Sequence, residues 1–148
     1  MKIIAALGAV LCLSAASPAL AADAQGAANS FGLIGDWAGD CARPASLDND
    51  FAHFRPGRHG DVDLTYDLGD SGTSQYRYDE AHVLPGDSIM LHGVFFGNGL
   101  RQEVVFERRR GAIRVLQSRD STGHKLVVDG VVTANGHHTN WKVRCGGR

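Results

Sequence analysis

Neither sign of charge dominates this sequence: 15 Lys and Arg stand against 16 Asp and Glu in 148 residues, a formal charge of −1. That balance argues against a dedicated nucleic-acid binder, which carries a basic excess or a basic patch. Proline is scarce, at four, and cysteine scarcer, at three. The longest apolar run, Ile3 to Leu13, is too short to span a bilayer. Beyond it no segment carries a sustained apolar stripe of helical period, so little helix is expected. Reactive signatures are missing as well. There is no G-x-S-x-G, no H-x-H and no H-E-x-x-H, and Gly93, Gly97 and Gly99 precede no predicted helix that would make a phosphate-binding loop. Asp61-Val62-Asp63 lacks the other ligands of a calcium loop. No cofactor and no metal ion is expected.

What is present starts with an export signal. Lys2 supplies a positive start, Ile3 to Leu13 an apolar stretch, and Ala19-Leu20-Ala21 a small-residue cleavage site. Residues 1–21 are therefore read as a secretory signal peptide cut after Ala21, which places the mature chain in the periplasm or outside the cell. No transmembrane segment remains after cleavage. Cutting also removes Cys12 and leaves Cys41 and Cys145 in an oxidising compartment, where one disulfide is expected. On the chain-entropy model, closing a loop of roughly 105 residues stabilises by about 4–5 kcal/mol.

Residues 22–30 (ADAQGAANS) are small and polar and are read as a flexible leader. Residues 31–148 form the domain. Val62, Leu64, Tyr66 and Leu68 alternate with polar neighbours, as in a half-buried strand. Similar runs cover 33–37, 51–54, 76–83, 88–96, 100–108, 113–119, 125–133 and 139–145, with turn residues between them and Asn135-Gly136 before the last. Short connections favour antiparallel neighbours. The predicted fold is all-β: a small antiparallel up-and-down β-barrel of eight or nine strands, closed by the Cys41–Cys145 disulfide.

Gly35-Asp36-Trp37 forms a G-x-W at the start of the first strand, and Arg144 lies on the last. In these residues and in its strand pattern the chain resembles the calycin-like barrels, the lipocalin and avidin type. The resemblance implies that Trp37 plugs one end of the barrel, that Gly35 lets the chain approach it, and that Arg144 packs over the Trp ring.

Candidate chemistry gathers on the fourth run. Tyr76, Tyr78, Glu80 and His82 have one parity and are expected to share one face. An interior placement would put a Glu–His pair in an aromatic setting, able to orient a ligand or to act as acid and base. With Tyr66 and Phe106 these residues are the predicted ligand-binding set. Arg108-Arg109-Arg110 reads as a hairpin tip, either solubilising or directed at an anion. His137-His138 reads as an exposed hairpin tip. Three functions follow. The first is a barrel binding a small apolar or amphipathic ligand. The second is an interaction or inhibitor barrel of the cell envelope with a filled core and working loops, notably Ala42 to Asp50. The third is a barrel isomerase or cyclase that uses Glu80 and His82.

Overall fold

The computed structural model describes residues 23–146, so the predicted signal peptide, residues 1–21, lies outside the described residues. One helix, α1 (Ala24–Phe31), precedes ten strands. These are β1 (Gly35–Ala38), β2 (Phe51–Pro56), β3 (Val62–Asp67), β4 (Thr73–Leu84), β5 (Ser88–Phe95), β6 (Arg101–Arg109), β7 (Ala112–Asp120), β8 (Lys125–Val128), β9 (Val131–Val132) and β10 (Val143–Cys145). They form one antiparallel sheet in the order β10-β1-β2-β3-β4-β5-β6-β7-β8-β9, curled into a half-barrel. The run predicted over 125–133 is two strands, because Asp129 and Gly130 take positive φ (51° and 74°) and turn the chain between them.

Segment 24–31 is a helix, not the flexible leader its composition suggested. The Asp23 carboxylate accepts from Gly26 N–H at 2.6 Å and caps the start. At the other end Gly32, in the left-handed region at φ 78°, donates to Asn29 C=O, and Leu33 N–H reaches back to Ala28 C=O. Ala24, Ala27, Ala28 and Phe31 recur at i, i+3, i+4 and i+7, and all four are buried. Burying the Phe31 side chain contributes about 2 kcal/mol. Arg108 holds the helix end from outside. Its Nη1 donates to Phe31 C=O at 2.5 Å, its guanidinium lies 4.5 Å over the Phe31 ring, and its other nitrogens grip Asp87 in the β4–β5 turn. The first arginine of the run 108–110 is thus a structural tie.

The helix covers one end of the half-barrel, where the core is dense. Leu33, Phe54, Val62, Ile89, Leu91 and Ile113 are fully buried there, and Phe54 meets Phe106 edge to face at 5.4 Å. Trp37 is buried beside them and donates its indole N–H to Leu33 C=O at 2.8 Å. Arg144, directly opposite Trp37 in the β1–β10 register, lies 5.8 Å over the indole and donates to Ile34 C=O at 2.5 Å. A Cβ on Gly35 would sit 3.0 Å from Arg144 Nη2, so a glycine is what lets that guanidinium approach.

The last segment ties the two ends of the sheet. Val131 pairs with His138, Ile113 and Lys142 exchange backbone hydrogen bonds of 2.9 and 2.8 Å, and β10 then lies against β1. The Cys41–Cys145 disulfide fixes the end of β10. Lys142 is buried, and its ammonium donates to Asp50 Oδ1 at 2.5 Å and Asp50 C=O at 2.9 Å.

A β-bulge corrects the predicted face of β4. Tyr78 pairs with Gly93 and Glu80 with His92, so Asp79 is an extra residue. The parity reverses across it. Tyr76 and Tyr78 face inward, but the next inward residue is Ala81, leaving Glu80 and His82 exposed on the outer face. The kink needs Gly93: a Cβ there would lie 2.0 Å from Arg77 O and 2.6 Å from Tyr78 Cα, both backbone atoms that cannot swing away. Gly93→Ala is expected to lower the unfolding free energy by at least about 2 kcal/mol in urea denaturation. A loss below about 0.5 kcal/mol would show that the bulge does not hold the backbones together.

Candidate ligand site

The end of the half-barrel away from α1 is not filled. Here β3 finishes, β4 begins, and the inward side chains are Tyr66, Tyr76 and Tyr78, which are all the tyrosines in the sequence. Tyr76 stacks on Phe95 at 4.7 Å and on Tyr78 at 6.1 Å, and meets Tyr66 edge to face at 5.9 Å. Two neighbouring clefts open around this group. One, of about 240 Å3, runs between Tyr66, Tyr76, Phe106 and Val115 toward Asp50 and Lys142. The other, of about 190 Å3, lies between the three tyrosines and Val104, Leu126 and Val127, with Gln102 and Ser118 at its edge. Tyr66, Tyr76 and Val115 border both. An apolar cavity of about 150 Å3 accepts benzene, so each cleft has room for a one- or two-ring molecule.

Among the described residues no side-chain hydrogen bond engages the hydroxyls of Tyr66, Tyr76 or Tyr78. Among the same residues no side-chain nitrogen or oxygen is both sealed from solvent and unpartnered. The unpartnered Tyr78 hydroxyl therefore keeps some of that residue's 2% exposure, and Tyr78 lines the smaller cleft. Burial raises the phenol pKa of all three, with the neighbouring phenols adding to the effect at Tyr66 and Tyr78 and Asp50 adding to it at Tyr66. The three are neutral O–H groups across the physiological range.

Of the predicted ligand-binding set, Tyr66, Tyr76, Tyr78 and Phe106 come together here. Glu80 and His82 do not: they lie on the outer face with side chains 51% and 52% exposed, hydrogen-bonded to each other at 2.8 Å. An acid–base pair inside a cavity is thereby lost. The outer face carries instead a cross-strand row in which Glu80, His92, Glu103 and Arg119 alternate over β4 to β7. Hydrogen bonds from Arg119 and then His92 hold the Glu103 carboxyl below its ordinary value. Asp79, beside the bulge, takes a two-pronged grip from Arg101 at 2.7 and 2.8 Å. Every one of these carboxylates is answered, as on a solvated structural face.

Sequence reasoning missed Val115, Val127, Lys142 and Asp50 as cleft residues. The signal for Val115 and Val127 was there in the parity of their strands. That for Lys142 and Asp50 was not, because their seats depend on how the last segment crosses the half-barrel. His137 and His138 are exposed at their hairpin. Among the described residues no group of three or more His, Cys, Asp or Glu is placed to hold a metal ion, and no helix is long and apolar enough to cross a membrane. No protein-family model matches the chain, and comparison with characterised proteins and with solved structures finds no match.

Because every tyrosine lines the clefts, absorbance at 295 nm reads the site alone. Their phenols are held protonated by the fold, so the associated stability is complete below the unfolded pKa near 10 and declines as pH rises above it. The absorbance is expected to rise only above the pH at which a free phenol ionises, and then in one step with loss of the far-UV circular dichroism signal. Gradual ionisation centred near about pH 10 with the fold intact would show that the phenols are solvated.

Proposed function

We propose that this protein binds a small apolar or amphipathic molecule in the cleft at the open end of its half-barrel. The observation that carries the reading is the contrast between the two ends. One is densely packed beneath α1, while at the other Tyr66 and Tyr76 border the clefts, with Tyr78 and Phe106 at the boundary between cleft and core. A chain selected only for stability would fill that space, since an unfilled cavity costs stability in proportion to its volume. Mostly apolar walls with a few convergent polar groups are the usual composition of a small-molecule site.

Two further proposals belong with this one. The curled sheet is read as a calycin-like barrel. The Ile113–Lys142 bridge between its ends and the seating of Arg144 on Trp37 support that reading. Export to an oxidising compartment is supported by the Cys41–Cys145 disulfide, a bond that persists in such compartments. A second reading, an interaction barrel of the cell envelope, has one observation in its favour: Leu47 stands 67% exposed in the loop 42–50. An isomerase or cyclase built on Glu80 and His82 has none, because both side chains are outside.

1-Aminonaphthalene, an uncharged two-ring probe whose fluorescence shifts with the polarity of its surroundings, tests the main reading. It is expected to bind with micromolar affinity, and Val115→Trp, which fills the wall shared by both clefts, is expected to weaken it about tenfold or more. Absence of binding, or binding indifferent to Val115→Trp in a folded protein, would contradict it.

A further inference from the structure

The chemistry of the cleft narrows what it can hold. The clefts are lined by three phenols whose O–H groups have no protein partners, whereas the Lys142–Asp50 pair and Thr139 beside them are already engaged. Lys142 donates to both the carboxylate and the carbonyl of Asp50. Thr139 gives its hydroxyl hydrogen to Val115 C=O at 2.6 Å. The Lys142 ammonium and the Asp50 carboxylate already neutralise each other, so neither a ligand cation nor a ligand anion meets an uncompensated opposite charge there. Either charge would also have to leave water for an aromatic-walled space, which is costly without a partner. A phenol is a better donor than acceptor, because its oxygen lone pair is shared with the ring. At the three phenols the unfilled positions are therefore positions for acceptor atoms.

We propose that the cleft selects an uncharged, flat compound of one or two rings carrying carbonyl- or lactone-type oxygens, and that the hydroxyls of Tyr66, Tyr76 and Tyr78 are its hydrogen-bond donors. This rests on the reading of the cleft as a ligand site and goes beyond it by assigning ligand class and donor roles. Shape and polarity act together. The slot beside Tyr66, Phe106 and Val115 and the neighbouring slot beside all three tyrosines accept a flat apolar body, and the phenols lining each reward oxygen at its edge. An apolar body of the same size without oxygen would leave the phenols facing carbon, exchanging their cavity water for nothing.

Three two-ring probes of similar size separate the possibilities by equilibrium dialysis with the full mature protein. Coumarin carries acceptor oxygens and no charge, naphthalene carries neither, and 1-naphthoate carries a negative charge. Coumarin is expected to bind about tenfold or more tighter than the other two. Tyr66→Phe, Tyr76→Phe and Tyr78→Phe combined are expected to bring coumarin down to the level of naphthalene and to leave naphthalene unchanged. Tyr66→Phe alone is expected to remove part of the difference, and each loses only a hydroxyl with no protein partner, so folding is retained. Equal binding of coumarin and naphthalene, tighter binding of 1-naphthoate, or coumarin binding unaffected by the Phe variants would overturn the inference. If 1-aminonaphthalene still binds in that case, the ligand site itself stands. If neither it nor any of the three binds, the ligand site falls and the assignment of donors falls with it.

Discussion

The last segment of the chain holds this structure to its shape. A ten-stranded sheet that curls without a tie has two free ends, and its short outer strands contribute little on their own. Residue 142 supplies the tie. Its backbone pairs with Ile113 on β7, its ammonium reaches Asp50 just before β2, and three residues later Cys145 is bonded to Cys41. A charged group this buried is tolerated because it is paired and hydrogen-bonded, and removing its partner alone would cost several kcal/mol. The same residue borders the larger cleft. The tie that shapes the half-barrel is thus also a wall of its candidate site.

The two ends of the half-barrel differ for a reason that can be read from residue size. Beneath α1 small residues of the helix, Ala24, Ala27 and Ala28, meet large ones from the strands, so the layers interlock. At the far end the inward residues are tyrosines, whose rings stack on one another and stand apart from β7 and β8. Their hydroxyls resist dense packing because a buried O–H needs a partner. The cleft is the space those hydroxyls keep open.

Much of the sheet was legible from alternation alone: Val62–Asp67, Ser88–Phe95 and Ala112–Asp120 lie within a residue of their predicted limits. Three things were not. The helix was hidden because its buried stripe is mostly alanine, which carries little hydrophobic signal, although the Asp23 cap and the Phe31-Gly32 stop were present in the sequence. The side-chain facing of Glu80 and His82 was misread because a single extra residue reverses parity and leaves no mark in an alternating pattern. Gly93, on the partner strand, was the one residue that could have signalled it. The curl of the sheet, finally, depends on Lys142 meeting Asp50 and Ile113 across long sequence separations, which no local pattern encodes. The cleft was legible to the extent that it is built from strand parity, in Tyr66, Tyr76, Tyr78 and Phe106.

The central claim is that the three tyrosines form one ligand-responsive site. Selective 13C labelling of tyrosine at the phenol carbon gives three ring signals and no others, so an NMR titration with 1-aminonaphthalene reads the cleft directly. All three signals should shift together along a single saturating curve, with a labelled His82 on the outer face unmoved. Tyrosine signals that stay fixed while the probe binds, or a response at His82 in their place, would contradict the account.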